Sequence, residues 1–247
     1  MSTEKTSPVA LITGSAHRIG ACVARRLHAQ GYRVIIHYHS SDAAAGKQVD
    51  EYNAQRRDSA AMVRADLIDP EQLEQLAKDA INCFGRLDVL VNNASRFHPT
   101  PLGDVTLTQW DNLVNTNLRA PFFLAQVLGN ELREHNGCIV NITDVYGHRP
   151  LANHTVYSMT KAGLIMLTRS LAKEMGPEVR VNAVSPGAIL WPDNGLADDA
   201  KSRILQSTSL KRLGEPEDIA RTVAFLVEAD YITGQVVAVD GGRLIHI

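Results

Sequence analysis

The stretch VALITGSAHRIGACVARRLHAQG, residues 9–31, begins with an apolar run, turns through Gly14 and Gly20, and continues with apolar residues at helical spacing. A short aliphatic run closed by a glycine turn reads as a buried strand, and the 3.6-residue period after it as a helix burying one face. Gly31 stands where a left-handed helix cap is wanted. A strand, a tight glycine turn and a helix start aim free backbone N–H groups and the helix dipole at one point, which suits an anion such as a pyrophosphate. The three-glycine dinucleotide fingerprint is incomplete, since Gly14 and Gly20 are its only glycines, so these residues alone do not decide between an anion site and an ordinary strand–helix turn.

The same alternation extends outward from this stretch. Apolar runs at 32–38, 60–66, 87–94, 137–143, 179–187 and 235–242 alternate with segments of helical spacing at 45–55, 70–84, 110–132, 156–175 and 216–228. This order predicts an α/β fold, a doubly wound, Rossmann-type parallel sheet of about seven strands with helices on both faces. No repeat, low-complexity tract or Pro/Ser-rich linker divides residues 1–247, so a single domain is expected. Pro216 suits the first turn of the last helix. Residues 188–214 are weakly patterned and follow a strand end, which makes them a candidate substrate lid.

Hydrophobic residues make up 45% of the chain and charged residues 21%, enough for one sizeable core. Twenty-five basic residues against 27 acidic ones give a net charge of −2 with no basic block, so nucleic acid and anionic membrane are not expected partners. The polar start lacks the features of a secretory signal and no window approaches a membrane span; a soluble, cytoplasmic protein is expected. Cys22, Cys83 and Cys138 are odd in number and far apart, as expected of reduced, buried thiols. His37 and His39 share a strand face, but no second ligand pair follows at metal spacing, so no metal site is expected.

Tyr157 and Lys161 are four residues apart and share a helix face. A phenol titrates near pKa 10, and an ammonium held nearby is expected to lower that value toward a usable one. Asp144, in NITDVYG (141–147), stands thirteen residues ahead of Tyr157. An ionised carboxylate only accepts hydrogen bonds, which makes it a poor partner for a substrate carbonyl oxygen. It suits a substrate bearing N–H groups, or one protonated on nitrogen as hydride arrives. Pairing with Tyr157 would raise the pKa of one of the two groups and keep a proton in the site. The alternative for Asp144 is a bond to a backbone N–H in a turn. Tyr146 and His148 read as local loop residues, Trp110 as core, and Trp191 as a border of the substrate space.

Thr13-Gly14-x3-Arg18-x-Gly20, Asn92-Asn93-Ala94, Tyr157-x3-Lys161, Pro186-Gly187, GEPEDIA (214–220) and the closing VDGG (239–242), in this order, resemble the short-chain dehydrogenase/reductase family over nearly the whole chain. The resemblance implies that Gly14, Arg18, Ile19, Gly20, Leu67, Asn93, Ala94, Ser95, Pro186 and Gly187 line a nicotinamide cofactor. It further implies that Asp66 accepts from the adenine amino group and that Lys161 holds the nicotinamide ribose beside Tyr157. Asn117 matches the residue that kinks a central helix and holds a water beside the lysine. An NAD enzyme usually ends its second strand on a carboxylate that binds the ribose 2′-hydroxyl. Here Tyr38, His39, Ser40 and Ser41 stand there, with Asp42 too late, so NADPH is the expected cofactor, with His17, Arg18, His39, Ser40 and Ser41 as phosphate donors.

Most of the family carries Ser where this chain has Asp144. The pteridine reductase subgroup shows the same Asp, and NNASRFHPTPL (92–102) resembles its substrate loop. That resemblance implies a pterin or folate stacked against Phe97, with Arg18, Ser95, Asp144, Tyr157 and Trp191 around it, and a homotetramer. A carbonyl or 3-oxoacyl reductase and a catalytically silent NADPH-binding sensor are the alternatives.

Overall fold

In the computed structural model, residues 7–191, 195 and 197–246 are described. Seven strands, β1 (Val9–Ile12), β2 (Arg33–Tyr38), β3 (Ala60–Arg64), β4 (Val89–Asn92), β5 (Cys138–Ile142), β6 (Arg180–Pro186) and β7 (Val236–Val239), form one parallel sheet in the order β3-β2-β1-β4-β5-β6-β7. The helices between them are α1 (Arg18–Ala29), α2 (Asp42–Gln55), α3 (Pro70–Phe84), α4 (Leu107–Val114), α5 (Ala120–Glu134), α6 (Thr155–Met175), α7 (Asp198–Gln206) and α8 (Pro216–Glu228).

Alternation along each strand divides the core between two faces. Ala10 and Ile12 of β1 with Val34 and Ile36 of β2 meet Val23 and Leu27 of α1 and Val223 of α8. Val9, Leu11 and Ile35 point the other way, onto Leu73 and Leu76 of α3, Leu124 and Leu128 of α5 and Leu171 of α6. Both faces are covered, which is why these strands read as continuous apolar runs. Strand order reverses between β1 and β4, and in such sheets the crevice at the carboxyl end of the reversal point binds ligands.

Four features differ from the expectations. The segment 110–132 is not one helix: a π-helical turn, Asn115–Arg119, separates α4 from α5. Pro121 has no N–H to give the carbonyl four residues earlier, at Asn117, so a regular ladder cannot run through this point. Trp110 is 39% exposed, on the outside of α4 and not in the core. Strand β7 ends the sheet and is only half-buried, because among the described residues no strand pairs with its outer edge. The candidate lid contains a helix, α7, that its weak patterning concealed; residues 192–194 and 196 of that segment lie outside the described residues.

Candidate active site

Gly14 ends β1 in the left-handed region (φ +62°), and a Cβ there would stand 3.0 Å from the Cα of Ala94. At Gly20 a Cβ would fall 2.5 Å from Asn93 Nδ2 and 2.7 Å from the Gly14 carbonyl oxygen. The two glycines are therefore required by backbone shape and close approach. Thr13 and Asn93 join the turn to the end of β4: the Thr13 hydroxyl accepts from the N–H groups of Asn93 and Ala94, and Asn93 Nδ2 donates to the carbonyls of Thr13 and Gly14. His37, buried beneath the turn, accepts from the Gly14 N–H at 2.9 Å through Nδ1. That bond places its proton on Nε2, which donates to the Ala65 carbonyl, and burial lowers its pKa to about 4. The ring is thus a neutral prop for the turn.

Beside this turn lies a cleft of about 370 Å³ lined by Gly14, His17, Arg18, Ile19, Gly20, His39, Asp66, Leu67, Asn93, Ala94 and Ser95. These are among the residues expected around a dinucleotide; Lys161, Pro186 and Gly187 are not part of this lining. Ser40 and Ser41 are exposed or half-exposed at the end of β2, outside the lining of this cleft, and Ser41 is the N-cap of α2. Asp42, at the start of α2, accepts from the Tyr38 hydroxyl at 2.6 Å, so a carboxylate stands close to the end of β2. His39 Nε2 lies 3.6 Å from Asp66 Oδ2. Pro186 ends β6, and Gly187 packs against Asp240, where a Cβ would come within 2.7 Å of the Asp240 Cα. Arg18 Nη2 donates to the Trp191 carbonyl at 3.4 Å, tying the start of α1 to the start of the lid segment.

Tyr157 and Lys161, one turn apart on α6, are both buried. Asp144 caps the 3₁₀ turn Val145–Gly147 that follows β5: its Oδ1 accepts from the Tyr146 N–H at 2.8 Å and its Oδ2 from the Tyr157 hydroxyl at 2.8 Å. The turn bond and the tyrosine pairing coexist, one on each oxygen. Lys161 Nζ donates to the Ile142 carbonyl at 2.9 Å and lies 5.7 Å from the centre of the Tyr157 ring. Phe97, 51% exposed, stands edge-on to Tyr157 at 4.8 Å and stacks on His154 at 4.7 Å.

One expectation about this group is corrected. Tyr157 is not lowered by Lys161; burial, then the Asp144 charge and its hydrogen bond, raise the phenol well above 10. Burial also raises Asp144 and lowers Lys161 to about 8, so desolvation outweighs the ammonium's attraction for a phenolate. The Asn117 side chain is not directed to Lys161. Its Oδ1 accepts from the Arg96 N–H and the Ser95 hydroxyl, and its Nδ2 donates to the Arg96 carbonyl and the Thr160 hydroxyl. It clamps the substrate-loop candidate to α6 from the π-helical turn, where the widened backbone carries it.

A family model described as enoyl-(acyl carrier protein) reductase matches residues 14–243. The chain belongs to the short-chain dehydrogenase/reductase family. Within this family it is 38% identical to the 3-oxoacyl-(acyl-carrier-protein) reductase FabG of Staphylococcus epidermidis, over 94% of this chain and 97% of that one. It is 37% identical to pteridine reductase 1 of Leishmania tarentolae, over 98% of each chain. A solved structure, a blue fluorescent protein from a metagenomic library in complex with NADPH, superposes with a TM-score of 0.90 at 39% identity, over 96% of this chain and 97% of that one.

The short-chain reductase site also contains contacts that the sequence did not reveal. Thr13 and His37 hold the glycine turn, Thr160 and Arg96 meet Asn117, and Arg243 donates to the Tyr146 hydroxyl. All these partners are distant in the chain, and the motifs mark only one end of each contact.

The buried ammonium has a measurable consequence. The folded-state value of Lys161, about 8, lies below its ordinary 10.5, so the protonated form disfavours folding fully below pH 8 and progressively less up to pH 10.5. The stability of the wild type relative to Lys161→Met is therefore expected to rise between pH 8 and 10, by an amount on the order of 1 kcal/mol per pH unit at most. Urea denaturation of both proteins across this range measures it; a flat or falling difference contradicts the ammonium's burial.

Proposed function

We propose that this short-chain reductase uses NADPH to reduce the C=N bond of a dihydropterin or dihydrofolate to the tetrahydro form. The observation that carries the proposal is the partly buried Asp144–Tyr157 hydrogen bond, facing Phe97 on one side and backed by Lys161 on the other. The fit of the cofactor to the cleft rests on the glycine turn, which excludes even a Cβ and leaves backbone free to approach phosphates, and on the residues that directly follow Tyr38 at the end of β2, His39, Ser40 and Ser41, none of which is a carboxylate. His39, Ser40, Ser41 and Arg18 are assigned to phosphate, Asp66 and Leu67 to the adenine end, Asn93, Ala94, Pro186 and Gly187 to the ribose and nicotinamide side, and Lys161 to the nicotinamide ribose. When bound, NADPH supplies the hydride.

The protein's own groups handle orientation and the proton. Reduction of C=N adds hydride to carbon and a proton to nitrogen. The raised Tyr157 and Asp144 keep a proton between them at neutral pH, and the carboxylate can accept from ring N–H groups. Phe97 offers a flat apolar face to a heterocycle. Asn117 is assigned the role of holding the 95–97 loop over the site. Trp191 and the rest of 188–214 are assigned as the lid of a single domain, and a homotetramer is part of the proposal.

Turnover is tested by NADPH oxidation with dihydrobiopterin, dihydromonapterin, dihydrofolate and a 3-oxoacyl ester. A dihydropterin or dihydrofolate is expected to be the preferred substrate, and NADH to be about 10- to 100-fold less efficient, the loss of one or two charge-assisted hydrogen bonds to phosphate. The comparable identity to a 3-oxoacyl reductase favours one other reading, ketone reduction. Turnover of the ester alone would establish it, and tight NADPH binding with no turnover of either class would favour a sensor.

A further inference from the structure

Arg243 belongs to the carboxyl-terminal 3₁₀ turn Arg243–Ile245, 97 residues from its partner Tyr146. Its Nη2 donates to the Tyr146 hydroxyl at 3.2 Å, its guanidinium carbon lies 5.8 Å from the centre of the Tyr146 ring, and its Nη1 donates to the Ile204 carbonyl at 3.3 Å. Ile204 is in the last turn of α7, inside the candidate lid, and its carbonyl also accepts from the Ser207 and Thr208 hydroxyls. Tyr146 is the residue whose N–H holds Asp144 Oδ1. One side chain thus joins three parts of the chain: the end of the lid helix, the carboxyl-terminal turn and the turn that carries the carboxylate. The terminal turn is itself braced, because Asp240 accepts from the N–H groups of Gly242 and Leu244.

We infer that Arg243 is a positioning residue for Asp144: it fixes the Tyr146 turn against the end of α7 and places a positive charge behind the carboxylate. A guanidinium remains charged at every working pH and presents donors in a fixed fork, so it can hold two oxygens on different elements and still act electrostatically on a third group. The titratable and charged groups around Asp144 are Tyr146 on its own turn, Tyr157 and Lys161 on α6, and Arg243. Burial raises the carboxyl group, and both Lys161 and Arg243 oppose that rise. Lys161 is itself partly deprotonated near pH 8, whereas guanidinium groups in general keep their charge there, so above that pH a guanidinium is the dependable counter-charge. The end of α7 and the charge of Asp144 are thereby linked through one residue.

The inference rests on Asp144 being the group that faces substrate, but its test needs no substrate. In protein labelled with ¹³C at aspartate carboxyls, with Asp144→Asn to assign the signal, the Asp144 titration is followed in wild type, Arg243→Gln and Arg243→Lys. Gln removes the charge and keeps one amide donor of shorter reach; Lys keeps the charge. The expected result is an upward shift of the midpoint by about 0.5–1 pH unit in Arg243→Gln, less than the 1–3 units of a direct ion pair, and a midpoint near wild type in Arg243→Lys. In whichever substrate the enzyme turns over, the limb of the kcat/KM profile that disappears in Asp144→Asn is expected to move the same way. A merely structural arginine would change thermal stability without moving the titration. An Asp144 midpoint in Arg243→Gln equal to that of wild type overturns the inference, and it does so whether or not a pterin is the substrate.

Discussion

Tyr157→Phe is expected to lower kcat by about 10²- to 10⁴-fold, the contribution of a positioned proton-transfer group, while the NADPH dissociation constant stays within about 2-fold. The hydroxyl is the only atom removed, and its hydrogen bond goes to Asp144 Oδ2. Lys161, assigned to the cofactor ribose, keeps its own anchor on the Ile142 carbonyl, so cofactor affinity has no reason to change. Asp144 loses one of its two donors in a buried site, and its carboxyl group is expected to rise further, because the remaining Tyr146 N–H stabilises only one oxygen. The stability cost of that unmet acceptor is about 1–3 kcal/mol. Single-turnover kinetics separate the chemical step from binding, and fluorescence titration of NADPH reports affinity. Retention of more than a tenth of wild-type kcat would remove Tyr157 from the proton path.

Asp144→Ser is the second large effect, and it separates the two candidate substrate classes. A serine hydroxyl is shorter than the carboxylate and has one oxygen, so it cannot serve the Tyr146 N–H and the Tyr157 hydroxyl as the two carboxylate oxygens do. It also removes the charge that, after burial, most raises the phenol. The Tyr157 pKa is therefore expected to fall while the site loses its acceptor for ring N–H groups. For a pterin, kcat/KM should drop by about 10²-fold or more, the loss of one or two hydrogen bonds to a charged acceptor. For a 3-oxoacyl ester, turnover should hold or increase, because serine can donate to a carbonyl oxygen and an ionised aspartate cannot. Equal pterin turnover in wild type and variant would refute the nitrogen-based proposal directly, and the ester measured in parallel shows whether the variant is folded and active.

The sheet, its strand number and the two-sided cover of helices were readable because they depend on local periodicity. Runs such as Val34–Ile36 and Leu90–Val91 are apolar on every residue, as strands buried on both faces must be. Gly14 and Gly20 were legible as a turn, and the contacts a Cβ would make there show why no other residue fits. A kink at Asn117 was implied only by the family resemblance. The split into two helices with a π-helical turn between them was not legible, because helical spacing continues across it.

Charge states were the least legible part of the site. Tyr157 and Lys161 are one helical turn apart in any helix, and from that spacing an ammonium-lowered phenol is the natural expectation. The sequence by itself determined which residues share a strand face or a helix turn, since those relations extend over only a few residues of chain. Tertiary structure alone decided that Asp144 meets Tyr157 across thirteen residues and that Arg243 meets Tyr146 across 97. It also decided that Lys161 is buried and that Asp144 is partly withdrawn from water. The physical reason is that a group's pKa and its hydrogen-bond partner depend on the dielectric and the neighbours around it, and both are set by packing between elements distant in the chain.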